Sequence, residues 1–306
     1  MRSSILGGVR GDIAVVLWLG LTGCNQFFGL EETKLVPGVG GGTDLDLDGV
    51  SDEQDPCIAA MLDATDDYDR DDIPNSMDPC PFDPANSANG NPDGDNDGVN
   101  DACDPFPTMA GDSHRCTMRF YNTDLNARLW HETDTMPTWS SVPGMLYAND
   151  DGLPSTLVAT LDLEKVAEPT YDVSLYTTTQ ETSSDHGARV WVRAADPSSG
   201  DDVGCEIYGN TTYTRIAIAL GDGRDVGTPL MLSGTPFPLG SELRMQVTVI
   251  PGTGVIRCVV SRFPDRWTVS APATLGMGKL GFGSEGFQMQ VHGLSIFDRS
   301  TVTPLP

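Results

Sequence analysis

One acidic loop is written three times between Asp44 and Asp104. The copies are Asp44-x-Asp46-x-Asp48-Gly49-Val50-x-Asp52-x-x-Asp55, Asp67-x-Asp69-x-Asp71-Asp72-Ile73-x-Asn75-x-x-Asp78 and Asp93-x-Asp95-x-Asp97-Gly98-Val99-x-Asp101-x-x-Asp104. Registered repetition marks one structural unit used again. Oxygens at loop positions 1, 3 and 5 can converge on one hard cation, and a glycine at position 6 allows the sharp turn. Position 7 offers its backbone carbonyl, position 9 a side chain or a bridging water, and position 12 a carboxylate. Every copy fills positions 1, 3, 5 and 12 with Asp and position 9 with Asp or Asn. The second copy carries Asp72 where the other two carry glycine. Asp tolerates the left-handed conformation better than most residues, at some cost.

The stretch holds 19 acidic residues and one basic residue. Composition alone would make it a solvated, disordered linker. The three-fold register of Asp, Gly and an apolar seventh residue favours a cation-binding array instead. Many carboxylates on a flexible loop suit calcium better than magnesium. The whole chain of 306 residues carries a net charge of −26, a sign that argues against nucleic acid as a partner.

Asp78-Pro79-Cys80-Pro81, Asn86, the Asp93 to Gly98 run and Asp101-Ala102-Cys103-Asp104 resemble thrombospondin type 3 calcium-binding repeats. That resemblance implies loops wrapped around calcium with little regular secondary structure, stapled by successive disulfides, with Cys80 paired to Cys103. It covers about 60 residues, and Asp72 and the small number of copies depart from the family pattern. A dockerin or EF-hand would need a helix after each loop, and Asp-Pro-Cys follows here instead.

The first residues read as a processing segment. Arg2 and Arg10 precede an apolar run over 13–21 that is too short to span a bilayer. The run ends in Leu21-Thr22-Gly23-Cys24, which resembles a bacterial lipobox, although Asp12 beside the run is unusual. The resemblance implies a signal peptide over 1–23 and a diacylglyceryl anchor on Cys24. Asn25 stands where an Asp would retain an enteric lipoprotein in the inner membrane. The expected place is therefore the outer membrane, lipid-anchored and facing the periplasm or the surface. Residues 24–43, rich in glycine, read as a flexible tether. The acidic repeats occupy 44–111 and a large domain 112–306.

Six cysteines remain in an oxidising compartment. Cys205 and Cys258 both lie in the large domain, where they could join neighbouring strands. Cys57 and Cys116 are left to each other by elimination. Zinc is a poor alternative, because no CxxC pair exists and the four histidines are scattered.

Beyond residue 112 the charge thins and apolar residues alternate with polar ones. The expected strands are Ser155–Asp162, Tyr171–Thr179, Ala188–Ala194, Gly204–Tyr208, Tyr213–Leu220, Glu242–Ile250, Val255–Arg262, Lys279–Phe282 and Phe287–Phe297. Pro251-Gly252-Thr253-Gly254 reads as a hairpin connection between two of them. Many short strands and no long amphipathic helix predict a mainly β fold, a two-sheet antiparallel jelly-roll sandwich. Leu275-Gly276-x-Gly278-Lys279-Leu280-Gly281-Phe282-Gly283, followed by the alternating run from Phe287 to Asp298, resembles the last strands of laminin G-like and concanavalin A-like jelly rolls. Phe120-Tyr121-Asn122, Trp130 and Trp139 resemble their opening segment.

Some relatives of that fold are glycoside hydrolases with a Glu-x-Asp-x-x-Glu strand. No such segment exists here, nor a Gly-x-Ser-x-Gly nucleophile motif or a phosphate-binding loop. The expectation is no catalytic residue and no cofactor other than calcium. Trp130, Trp139, Trp191, Tyr208, Tyr213 and Trp267 are the aromatics able to stack on a sugar ring, with Trp139 and Trp267 preferred because Trp191 lies in an alternating, core-like run. The sequence thus predicts a non-enzymatic calcium-binding lipoprotein whose sandwich binds a glycan or an envelope protein. The alternatives are a purely structural envelope module and a glycan-acting enzyme.

Overall fold

The computed structural model describes residues 67–298, apart from 68, 75–77, 79, 81, 83–91, 102, 119, 121–129, 133–138, 143, 149–154, 160–168, 182–183, 195–202, 222, 251–252, 263 and 273–278. The first acidic copy (Asp44, Asp46, Asp48, Val50, Asp52, Asp55), Asn75, Cys24, Cys57, the signal segment and the tether lie outside the described residues, as does the side chain of Cys116.

The described residues form fifteen strands. They begin with β1 (Ser113–Met118), β2 (Trp130–Glu132), β3 (Trp139–Val142), β4 (Met145–Ala148) and β5 (Ser155–Ala159). The middle of the chain supplies β6 (Pro169–Glu181), β7 (His186–Ala194), β8 (Val203–Gly209), β9 (Tyr213–Leu220) and β10 (Asp225–Ser233). The last are β11 (Ser241–Ile250), β12 (Val255–Arg262), β13 (Asp265–Pro272), β14 (Lys279–Glu285) and β15 (Phe287–Asp298). Every pairing is antiparallel. Sheet A runs β13-β12-β11-β6-β15-β4-β3 with β1 also on β15, and sheet B runs β10-β9-β8-β7-β14-β5-β2. The protein is a two-sheet antiparallel jelly-roll sandwich.

Alternation decides which side chains meet between the sheets. Tyr171, Val173 and Leu175 of β6, Met245 and Val247 of β11 and Ile256 and Val260 of β12 face the interior from sheet A. Val190 and Val192 of β7, Ile207 of β8 and Ile216 and Ile218 of β9 meet them from sheet B. Each fully buried side chain of this kind contributes about 1.5–3 kcal/mol, which makes this core the main source of stability. Cys205 on β8 and Cys258 on β12 form a disulfide, with Cα atoms 5.2 Å apart. The pairing is the one the sequence offered, and it joins the two sheets across the core. It closes a loop of 53 residues, a constraint on the unfolded chain worth roughly 4 kcal/mol.

The described residues of the acidic array from Cys80 to Phe106 pack on the outer face of sheet A. Cys80 and Cys103 are disulfide-bonded, with Cα atoms 5.5 Å apart, as the repeat resemblance implied. The bond packs with Val99 against Phe297 of β15 in a small second core. Gln246 Nε2 donates to the Cys103 carbonyl at 3.1 Å. Arg257 donates to the Pro105 carbonyl and sets its guanidinium 4.9 Å from the centre of the Phe106 ring. A Cβ on Gly293 would stand 2.7 Å from Phe82 Cζ, so only glycine leaves room for that ring. Asp172, Thr170 and Thr248 on this face are accordingly buried and paired. Arg244 Nε donates to both oxygens of Asp172 at 2.8 Å, and Thr170 donates to Thr248 at 3.2 Å.

Candidate functional site

The two described acidic loops share one backbone plan. In the second copy the Asp67 carboxylate accepts the N–H groups of Arg70 at 2.7 Å and Asp72 at 2.9 Å. In the third, Asp93 accepts those of Asn96 at 2.7 Å and Gly98 at 3.1 Å. Position 5 accepts the N–H of position 7 in both: Asp71 from Ile73 at 2.8 Å and Asp97 from Val99 at 3.0 Å. Positions 4 and 6 are left-handed in both, with φ of 64° and 71° at Arg70 and Asp72, and 62° and 95° at Asn96 and Gly98. Asp72 thus adopts the conformation of the glycine it replaces. Position 12 repeats as well. Asp78 Oδ1 accepts the Cys80 N–H at 2.7 Å, and Asp104 Oδ1 accepts the Phe106 N–H at 2.5 Å.

These hydrogen bonds curl each loop around its own carboxylates. Ligand atoms of Asp67, Asp69 and Asp71 lie within 4.8 Å of one another, and so do those of Asp93, Asp95 and Asp97. That spread matches oxygens on opposite sides of a cation with bonds of about 2.4 Å. Asp69 Oδ2, Asp71 Oδ2 and both oxygens of Asp95 are buried and accept no hydrogen bond. Buried carboxylate oxygens without donors are costly unless a cation takes them. The residues present, all oxygen donors, fit calcium. Of the predicted ligands, Asp67, Asp69, Asp71, Asp93, Asp95 and Asp97 converge in these clusters. Asp101 instead takes the Gly94 N–H on Oδ1 at 2.7 Å. Ile73 and Val99 stand at position 7, where each donates its N–H to the position 5 carboxylate, and Val99 is buried in the small core.

The electrostatics predict how pH acts on this array. Burial, then the Asp71 and Asp78 charges, push Asp69 up to about 7 from an ordinary value of 3.8. Burial and the neighbouring Asp112 do the same to Asp104, against the Phe106 hydrogen bond, and bring it to about 7. The calcium-free folded loops therefore hold protons between about pH 4 and 7 that the unfolded chain has released. Their stability falls as pH rises through that window and is flat above it.

Sheet B presents a second constellation on its outer face. Arg189 of β7, Glu206 of β8 and Arg215 of β9 point away from the core, alternating with Val190, Cys205 and Ile216. Arg189 Nε donates to Glu206 Oε1 at 2.6 Å, and Arg215 donates to Glu206 Oε2. Arg189 also reaches Glu285 of β14 at 2.8 Å, and Arg215 reaches Asp225 of β10 at 3.1 Å. Burial lowers the Arg189 pKa, but the Glu206 and Glu285 carboxylates more than offset it and hold it above its usual value. Two aromatic rings lie beside this network. The Tyr208 ring leans over Gly187, where an added Cβ would stand 3.1 Å from Cδ2, and the Arg215 guanidinium sits 5.3 Å from its centre. The Trp191 indole crosses Gly204 in the same way, with Cε3 at 2.9 Å. Trp191 is buried on this outer face and its Nε1 donates no hydrogen bond.

Trp139 and Trp267 stand elsewhere. They lie on β3 and β13, the opposite edge strands of sheet A, half-buried against the core. They do not form one site. Trp130 is a core residue, 5.0 Å from Phe282. Sequence reasoning kept Tyr208 and Tyr213 as candidates but passed over Arg189, Glu206 and Arg215. The signal was available: charged residues at outward positions of three consecutive alternating strands.

No known protein family and no curated protein matches this chain. Among solved structures the chain is similar to peanut lectin with a 9mer peptide, at a TM-score of 0.44 and 12% identity, over 60% of this chain and 96% of that one. It is similar to a legume lectin-like domain from Entamoeba histolytica, at 0.42 and 10%, over 60% and 97%. It is also similar to a prokaryotic β-1,3-1,4-glucanase (lichenase) derived from a mouse hindgut metagenome, at 0.42 and 9%, over 61% and 100%.

Proposed function

We propose that this chain is a non-enzymatic, calcium-binding bacterial lipoprotein whose sandwich binds a glycan on the outer face of sheet B. The observation that carries the calcium half is the shared plan of the two described loops, which gathers buried, donor-less carboxylate oxygens at coordination spacing. The thrombospondin type 3 resemblance supports the same ion. The glycan half is supported by Tyr208 and Tyr213, half-buried beside a fixed row of guanidinium and carboxylate groups. Flat rings and oriented polar groups are what sugar recognition uses. Both oxygens of Glu206 are already taken by arginines, which suits positioning better than proton transfer.

Anchorage through Cys24 to the outer membrane belongs to this proposal and is supported by Leu21-Thr22-Gly23-Cys24 after an apolar run. Mass spectrometry of the mature N-terminus should find an acylated cysteine; a mature chain that starts elsewhere without lipid would refute the anchor alone. For the binding face, a glycan array probed with calcium-loaded protein should give ligands that Tyr208→Ala loses while melting within a few degrees of wild type. Binding that survives Tyr208→Ala would move the site off sheet B, and an array without ligands would favour a purely structural module.

A further inference from the structure

We infer that Asp112, outside the repeats, completes an additional calcium site with Asp97 and Asp104 at the seam between array and sandwich. The inference rests on the calcium reading of the loops and adds a residue that no repeat motif contains. Residues 105–111 form a compact turn, with the Thr108 and Met109 N–H groups on the Phe106 carbonyl at 2.6 and 2.8 Å. Gly111, at φ of 125°, then reverses the chain. The reversal lays the Gly111 and Asp112 N–H groups on Asp97 Oδ2, at 3.1 and 2.8 Å. The next residue opens β1.

Ligand atoms of Asp97, Asp104 and Asp112 consequently lie within 4.8 Å of one another. This cluster differs from an ordinary acidic surface in its burial. Asp104 is 1% exposed and Asp112 4%. Asp104 spends Oδ1 on the Phe106 N–H, while its Oδ2 is buried and accepts no N–H or hydroxyl; its remaining polar neighbour is the Asp112 carboxylate, which it can meet only by sharing a proton or a cation. Arg257 lies near, its guanidinium donating to the Pro105 carbonyl and sitting over Phe106. A divalent cation with oxygen ligands would take up the donor-less Asp104 Oδ2, and carboxylates on a turn of this kind suit calcium's flexible shell. Because its ligands come from loop three and from the residue before β1, this ion ties the array to the sandwich at the hinge between them.

Calcium bound per chain, counted by equilibrium dialysis on the full mature protein, tests the inference. Asp112→Asn should lose one ion relative to wild type, and Asp95→Asn, which touches only loop three, should leave the seam ion in place. A count in Asp112→Asn equal to wild type, with unchanged affinity, overturns the seam site. Wild type that binds no calcium fails the loop reading itself, a separate result. Should Asp112→Asn not fold, wild-type hydrogen exchange decides. Calcium must slow the amides of residues 111–114, and exchange there that ignores calcium overturns the site. Occupation by magnesium with equal affinity overturns the assignment to calcium.

Discussion

Chelating calcium is expected to unfold residues 67–112 while the strands of both sheets stay paired. Ordering each residue costs about 1–2 kcal/mol of chain entropy. Among the described residues of the array only Cys80, Val99, Cys103 and Phe106 are buried and apolar. That is too little burial to hold the segment, and its crowded carboxylates oppose compaction as well. Calcium binding and folding of the array are therefore expected to be one event. Hydrogen exchange in chelator should bring amides 93–112 to the rates of an unstructured chain, with Cys80–Cys103 limiting their spread, while those of β6, β11 and β15 remain protected. Unchanged protection of 93–112 would refute the coupling. Asp97→Ala should reproduce the effect in the third loop at ordinary calcium concentrations. It removes a ligand and the acceptor for three N–H groups, those of Val99, Gly111 and Asp112. Asp72→Gly should act oppositely, tightening the second loop by about 1 kcal/mol through relief of a left-handed non-glycine residue.

Glu206→Ala should have the largest effect of any single substitution on sheet B. Its side chain is 2% exposed and lies between two guanidiniums. Removing it leaves two positive charges, on side chains 14% and 21% exposed, with one carboxylate each, Glu285 for Arg189 and Asp225 for Arg215. Breaking one partner of a buried ionic network costs about 3–5 kcal/mol, enough to lower Tm by roughly 10 °C in a domain of this size. The Arg262–Asp265 pair is the control. Its groups are 3.6 Å apart and 36% and 51% exposed, so Asp265→Ala should change stability by less than about 1 kcal/mol. Equal, small shifts for the two variants in thermal melts would show that the network adds nothing.

The strands that sequence located well are those whose two faces meet different surroundings. Tyr213–Leu220 and Val255–Arg262 run as expected, because each alternates between the core and the other side of its sheet. The strands it passed over include edge strands. β10 contains Gly227 and Pro229 and shows no period, and β13 buries little beyond Ala271. An edge strand pairs on one side only, so its sequence carries a weaker pattern. Trp191 illustrates a different limit. Its alternating run placed it in the core, yet Val190 and Val192 take the interior and Trp191 is buried against the opposite face. Burial was predictable there, but the side of the sheet was not. The clustering of Asp67, Asp69 and Asp71 and of Asp93, Asp95 and Asp97 was legible because they sit at fixed offsets, whereas the approach of Asp112 to Asp97 and Asp104 is set by the fold of a turn and has no offset to betray it. The sheet-to-sheet placement of Cys205 and Cys258 was hidden for the same reason, since spacing along the chain says nothing about which sheet a strand joins.

The pairing of β1 with β15 has a use in protein engineering. Ser113 stands opposite Asp298 in register, so the described strands of the sandwich start and finish at neighbouring points. Closely spaced ends favour circular permutation and insertion into a host chain. A short linker could join them, and new termini could be opened at the exposed Thr253–Gly254 turn between β11 and β12. Such a permutant would keep every strand pairing while separating the acidic array from the backbone it now leads into, leaving the two to associate as a split protein.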